Sequence, residues 1–483
     1  MEQKKFIPVN RVFWLFSMLV ALALLIPKMI QEGLFMDGML YACVSRNLAL
    51  GYGTFWFPKF NEVGIAGLPT FHEHPPLVFW MQSFYFRFFG DSYLVEKIYS
   101  FSMAVLTALM IVLNWRLLVK GKDKFRSMSW LPVLFWIIMP IIFFSYQNNL
   151  MENTMSVFSL VSVFFALKAF LNPGRAYGYL IISGISIFLA SLSKGIPGFF
   201  TLAVVGIWWL VKKEISFKRM VVYSLVLTGV PLLIYAFLLY FSHDAYESLS
   251  NYLFKRALHR IENAHTVDSR FHVMGKLVVE TLPTIIITVL VIAVEGISNF
   301  KRQLSGAYGK NLLFILLVAL TGTVPLMLTL VQKSFYFIHA LPFFALAYAM
   351  VSAPGISHWM EKLNPESPGF KLFRLITLAG LVTLLVYTGF QKGKMERDHT
   401  ILHDVHLVGS VVSPWSVIGI DPAMHNNYML HCYMVRYYNI TLDASPHDAE
   451  YILHVKYMPV PADSSYGMLN LPLEEFSLYK KAD

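Results

Sequence analysis

Six stretches of this chain carry side chains that could do chemistry. The first is Phe35-Met36-Asp37-Gly38-Met39-Leu40-Tyr41-Ala42. A carboxylate at Asp37 could accept a proton from a hydroxyl nucleophile. It also stands ahead of an apolar run at Leu40, Cys43, Val44 and Leu48, where Asp is a common helix N-cap, and local pattern alone favours the cap. The second is Phe71-His72-Glu73-His74-Pro75-Pro76-Leu77. Glu73 with His72 or His74 has the ligand types of a divalent-cation site. Neighbouring residues on an extended segment point to opposite sides, so at most two of the three can converge.

The other four stretches combine one carboxylate with several cations. Glu152 follows Asn148-Asn149 at the start of an apolar run. Lys194 interrupts another in Ser193-Lys194-Gly195-Ile196-Pro197, and Lys333 precedes Phe335-Tyr336. Lysine in a tight turn can pair with a phosphate as a point charge. Snorkelling to a membrane interface is the plainer account, and it suffices for Lys333. Lys255, Arg256, His259, Arg260, His265, Arg270 and His272 crowd a further segment. They read either as a solvated helix face or as a seat for an anionic ligand.

The elements that must hold these residues are membrane spans. The chain has 483 residues, 56% hydrophobic and 14% charged, with mean hydropathy +0.56. Soluble domains are nearer 45–50% apolar and about 25% charged. The composition excludes a disordered chain, a fibre and an ordinary soluble enzyme, and predicts an all-α polytopic bundle. Eleven apolar segments approach span length: 12–31, 95–119, 128–146, 151–171, 179–193, 196–211, 220–241, 276–294, 312–331, 335–353 and 372–390. Lys and Arg cluster before the first segment (Lys4, Lys5, Arg11) and after each even-numbered one, from Lys120 and Lys212 to Lys301, Arg302 and Lys362. All these loops then share one side, the cytoplasm by the positive-inside rule. The formal charge of +10 is thereby accounted for without nucleic acid. The first apolar segment lacks a small-residue cleavage site and reads as a span.

Three pieces are expected on the opposite face: residues 32–94, residues 242–275 and the tail 391–483. The tail holds 7 Lys+Arg against 11 Asp+Glu, whereas the rest holds 32 against 18. Short strands are predicted at Ser416–Ile420, Ile440–Leu442 and Tyr451–Tyr457, with a helix over Asn426–Tyr438. The tail is therefore a small α/β module. Asn439-Ile440-Thr441 fits an N-glycosylation sequon. Two cysteines, Cys43 and Cys432, provide no disulfide framework.

Together these motifs resemble the GT-C superfamily of membrane glycosyltransferases, in the branch of the protein O-mannosyltransferases and the bacterial lipid A aminoarabinose transferase. The likeness covers residues 1–390. It rests on Asp37-Gly38-Met39-Leu40-Tyr41-Ala42, on Glu73-His74-Pro75-Pro76-Leu77 with Phe89-Gly90, on Ser193-Lys194-Gly195-Ile196-Pro197, and on the order Lys333, Tyr336, Leu341, Pro342. His74 stands where many relatives carry Lys or Arg. The resemblance implies a transmembrane catalytic domain over 1–390 and an extracytoplasmic domain over 391–483. It implies transfer of a sugar from a polyprenyl-phosphate carrier, with inversion, to a lipid, glycan or protein acceptor at the outer face of a bacterial plasma membrane. Asp37 is then the general base, with Glu152 assisting it or positioning the acceptor. Lys194, Lys333, Arg256, Arg260 and His74 bind the donor phosphate. Tyr41, Glu73 and Tyr336 shape the donor or acceptor pocket, and Glu73 with His74 holds an optional divalent cation. A non-enzymatic transporter or flippase of lipid-linked sugars is the alternative, but the internal repeats common in transporters are missing.

Overall fold

The computed structural model describes residues 2–65, 68–259, 265–296, 305–445, 448–457 and 465–482. Arg260, Lys301 and Arg302 lie outside the described residues.

Helices follow the apolar runs closely. α1 (Glu2–Met29) is followed by two helices in the first loop, α2 (Met36–Ala49) and α3 (Leu77–Phe89), and then by α4 (Val95–Leu118). The short α5 (Asp123–Ser127) leads into α6 (Trp130–Ile137) and α7 (Pro140–Gln147). These two were expected as one span. They are instead bent by 78° at Ile138-Met139. Pro140 supplies the reason: its ring removes a backbone donor and disfavours helical geometry in the residue before it. The Glu280 carboxylate accepts the Ile141 amide at 2.9 Å and satisfies the new helix start.

α8 (Glu152–Leu171) and α9 (Ala176–Lys194) form a long antiparallel pair, and α9 turns through a 3₁₀ segment, Ile196–Ala203, into α10 (Val204–Lys212). α11 (Phe217–Phe241) and α12 (His243–Ser250) precede a wide-turn helical segment, Asn251–Leu258. Then come α13 (His272–Glu295), α14 (Gly306–Thr321), α15 (Leu341–Lys362) and α16 (Pro368–Gly389). Among the described residues nine helices are long and apolar enough to cross a bilayer, ten if the bent pair counts as one span. Ile196–Lys212 is a shorter apolar helix and makes up the eleventh expected segment.

The tail contains α17 (His399–Val411), β1 (Val417–Ile420), α18 (Tyr428–Tyr438), β2 (Thr441–Asp443), β3 (Tyr451–Val455), β4 (Tyr466–Met468) and β5 (Phe476–Lys481). The sheet order is β2-β1-β3-β5-β4. β1 runs parallel to β2 and β3, and β5 runs antiparallel to β3 and β4. The three expected strands and the expected helix are present. α17, β4 and β5 are additional.

The chain forms two compact units. The bundle comprises residues 1–28, 100–147 and 151–390; the loop–tail unit comprises residues 29–99, 148–150 and 391–483. Inside the bundle, small and hydroxyl side chains let helices approach, as packing without a hydrophobic driving force requires. Ser183 Oγ donates to the Ser162 carbonyl at 2.8 Å, and Asn114 Nδ2 donates to the Leu160 carbonyl at 3.1 Å.

The loop–tail unit is knitted by charge. Arg46 holds Asp91 in a fork at 2.6 and 2.5 Å. Arg436, fully buried, reaches Asp91 at 2.8 Å and Glu96 at 2.9 Å. These fixed carboxylates hold the Arg436 guanidinium charged in spite of burial. Asn439 accepts Arg46 Nη1 at 2.5 Å and is only 9% exposed, so the sequon asparagine is a structural residue. Cys43 and Cys432 are free and buried, the Cys43 thiol donating to the Cys432 carbonyl at 3.1 Å.

Candidate functional site

In the loop–tail unit, α2 begins at Met36 with Phe35 at the N-cap position. Asp37 is therefore inside the first turn and does not cap the helix. The cap acceptor comes from elsewhere: Asn148 Oδ1 takes the Phe35 amide at 2.7 Å. This frees the half-buried Asp37 carboxylate from backbone duty, at a helix end whose dipole favours negative charge. Gly38 explains the Asp-Gly pair. A Cβ there would fall 1.8 Å from the Asn148 carbonyl oxygen, so only glycine admits this approach. Asn149, held at φ 54, donates to the Gly38 carbonyl at 3.2 Å. Gln82 donates to Asn149 at 3.0 Å and accepts from Ser45 at 2.8 Å. The helix start that carries Asp37 is thus fixed by a buried, connected polar network. Sequence reasoning passed over Asn148, Asn149 and Gln82, because their partners are distant in the chain.

Tyr41, one turn beyond Asp37, meets His74 Nε2 at 3.1 Å through its hydroxyl. His72 faces elsewhere, onto Thr70 Oγ1 at 2.7 Å and the ring of Phe57. The two histidines diverge, although simple alternation would put residues two apart on one side, so the segment is not a regular strand. Among the described residues no group of three or more His, Cys, Asp or Glu could hold a metal ion. Glu73 and His74 would have to hold a cation as a pair.

In the bundle, the structure brings Glu152 and Lys194 together. Glu152 Oε1 lies 3.0 Å from Lys194 Nζ, with the two side chains 1% and 9% exposed. Glu152 opens α8 and Lys194 closes α9, so each charge sits at the helix end whose dipole favours it. The turn after Lys194 explains its two glycines. Gly195 has φ 89, and a Cβ there would meet the Tyr252 hydroxyl at 1.7 Å. A Cβ on Gly198 would come within 2.3 Å of the Ser191 amide nitrogen. Tyr252 donates to the Lys194 carbonyl at 3.4 Å. Arg256 follows four residues later in a segment with about 4.4 residues per turn, so Tyr252 and Arg256 share a face.

Lys333 is exposed, its ammonium 5.7 Å from the Phe335 ring centre, and Tyr336 is half-buried in the following 3₁₀ turn, Ser334–Ala340. Beside it is a residue the sequence did not single out. Gln332, 3% exposed, accepts the Val273 amide at 2.8 Å and donates to the carbonyls of Arg270 and Thr329 at 3.0 and 2.8 Å. It staples the two segments that carry Arg270 and Lys333.

The fold matches solved structures over nearly the whole chain. ArnT from Cupriavidus metallidurans bound to undecaprenyl phosphate superposes with a TM-score of 0.64 at 13% identity, covering 96% of this chain and 97% of that one. The fold is the GT-C fold. A second GT-C-fold neighbour is the archaeal oligosaccharyltransferase AglB from Archaeoglobus fulgidus, in complex with an inhibitory peptide and a dolichol-phosphate. It gives a TM-score of 0.56 at 12% identity, over 92% of this chain and 69% of that one. No protein-family model matches the sequence, and no curated protein matches it. At such identities the GT-C likeness is one of architecture.

Proposed function

We propose that the chain is an integral membrane glycosyltransferase that moves a sugar from a polyprenyl-phosphate carrier to a hydroxyl acceptor, with inversion. The observation that carries this reading is the end-to-end match to a structure holding undecaprenyl phosphate. Motif residues held by dedicated local structure support it: Asp37 on a helix start fixed by Gly38 and Asn148, and Lys194 on a turn fixed by Gly195 and Gly198.

In the proposed reaction the acceptor oxygen attacks the anomeric carbon from the face opposite the phosphate. Its proton passes to the Asp37 carboxylate, the C–O bond to phosphate breaks, and the electron pair leaves on the carrier phosphate. Asp37 suits the base because its carboxylate caps no helix and a general base contributes about 10²–10⁴ in rate. Lys194 and Arg256, together with Lys333, Arg260 and His74, meet the negative charge that grows on the leaving phosphate. Glu152 holds Lys194 oriented until the phosphate arrives. Tyr41, Glu73 and Tyr336 line the sugar or acceptor. The reaction takes place at the outer face of the plasma membrane, with the amino terminus in the cytoplasm and the loop–tail unit outside. The acceptor class is lipid, glycan or protein.

The test is reconstitution of the purified protein with an undecaprenyl-phosphate-linked, radiolabelled sugar and membrane-extract acceptors. The expected result is labelled product of inverted anomeric configuration, with stoichiometric release of undecaprenyl phosphate. Movement of intact lipid-linked sugar across the bilayer without release of carrier phosphate would replace this reading by transport.

A further inference from the structure

Both sides of α3 are largely apolar, and only one is covered. Leu77, Val78, Phe79, Gln82 and Phe86 are buried, and this side packs on α2, where Ser45 Oγ donates to Gln82 at 2.8 Å. Trp80, Phe84 and Phe88 recur every four residues along another side and are 41%, 44% and 82% exposed. The Trp80 and Phe84 rings meet edge to face at 4.6 Å between centroids, and Phe55 extends the patch by packing on Trp80 at 5.8 Å. Each such side chain brings about 150–250 Å² of surface. Three of them side by side approach the few hundred Å² above which an open apolar patch marks a surface with a partner.

Length, position and charge name that partner. α3 has 13 residues and is about 20 Å long, too short to cross a bilayer core of about 30 Å. It ends at Phe89, and α4, which is long and apolar enough to cross, begins at Val95. The connection between them is held in place: the Val95 amide donates to the Ser92 carbonyl at 3.0 Å, and Arg46 and Arg436 both grip Asp91. So short a connection reaches at most about 20 Å, which keeps α3 close to the leaflet that α4 enters. The aromatic stripe runs the length of α3, so whatever covers it must lie along the helix. α3 contains no carboxylate, and Arg87 is exposed beside the stripe, 5.7 Å over the Phe84 ring. An arginine in that position rests its stem on apolar surface and offers its head to phosphate.

We propose that α3 lies in the plane of the bilayer, with Trp80, Phe84 and Phe88 immersed in the leaflet where α4 begins and Arg87 bound to the phosphate of a phospholipid headgroup. Trp and Phe on one face with a cation at its flank is the chemistry of an in-plane helix, and Trp seats at headgroup level. α3 thereby anchors the first loop to the lipid surface. Its covered side carries Gln82, which donates to Asn149, so the anchored helix belongs to the polar network that fixes the start of α2. The anchor does not depend on the transfer reaction.

The test uses the full-length protein in nanodiscs of phosphatidylethanolamine and phosphatidylglycerol, one copy per disc. Spin labels are placed on Phe84→Cys, Phe88→Cys and, as a control on the exposed end of β4, Met468→Cys. Wild type, whose Cys43 and Cys432 are buried, sets the background. Paramagnetic resonance with oxygen and a water-soluble nickel chelate should put the labels at 84 and 88 about 5–10 Å below the phosphate plane, while the label at 468 stays in water. Lipids brominated near the headgroup end of their chains should quench the tryptophan emission that Trp80→Phe removes. Arg87→Glu, which sets a carboxylate against the phosphates, should move the label at 88 outward. The proposal is overturned if the labels at 84 and 88 meet the nickel chelate as freely as the one at 468. It is equally overturned if they are shielded from oxygen and nickel alike, the signature of a protein cover. An unmoved label in Arg87→Glu would overturn the phosphate contact.

Discussion

The bundle buries Glu152 against Lys194 at the ends of two helices, whereas the loop–tail unit buries Arg436 among Asp91, Glu96 and the Ser92 carbonyl. In the loop–tail arrangement Arg46 and Arg436 share Asp91, and the Arg436 guanidinium also stacks 4.8 Å over Phe86. Such a network specifies how loop and tail pack. The bundle pair stands in a span-rich region where ionisable groups are expensive and tend to be retained for function. The two sets of buried charge thus differ in setting: one ties loop to tail, the other stands at the ends of two apolar helices.

Substitutions can break that contrast. The largest effect is expected at Arg436. Arg436→Met strips the buried Glu96 of its arginine and leaves Asp91 with Arg46 alone, and removing one member of a buried ion pair costs about 3–5 kcal/mol. The loop–tail unit should lose thermal stability and become protease-sensitive, as limited proteolysis would show. Lys194→Met, which breaks the pair with Glu152, should cost less stability. The double variant Glu152→Gln/Lys194→Met should regain that stability but transfer about tenfold to a hundredfold more slowly, as expected for loss of a charge-assisted bond of about 1.5–3 kcal/mol. Recovery of full activity in the double variant would make the bundle pair structural, like its counterpart.

A smaller effect comes from His431 in α18. Burial, with a lesser contribution from His425, lowers its pKa to about 4. The unfolded chain takes up a proton near pH 6.5 and the folded protein does not until about pH 4. Stability is therefore complete above pH 6.5 and falls by up to about 1.4 kcal/mol per pH unit between those values. His431→Gln should flatten the acid limb of Tm against pH.

The sequence carried most of the bundle, because a bilayer demands about 20 apolar residues and such runs stand out. The 78° break was signalled by Pro140, but a proline alone does not separate a kink from a new helix. α17 was legible in the spacing of Leu402, Val405 and Val408, which are buried, yet it escaped notice behind the strands that follow. Asp37, Glu152 and Lys194 stand out as candidates in the sequence because charge beside apolar runs is conspicuous. The Glu152–Lys194 pairing does not, since only the packing of α8 on α9 creates it. Asn148, whose side chain replaces Asp37 as the cap acceptor, lies 113 residues from the amide it serves. No local pattern carries that partnership.

The central claim is that Asp37 is the base for glycosyl transfer. Because Asp37 caps no backbone amide, Asp37→Asn should perturb the fold by only about 0.3–1 kcal/mol through the helix dipole. The decisive measurement is the rate of sugar transfer from an undecaprenyl-phosphate donor by Asp37→Asn, beside wild type, in protein shown by Tm to be folded. A fall of about 10²–10⁴ in kcat at near-normal Tm is the predicted result. A folded variant that transfers sugar at close to the wild-type rate would contradict it.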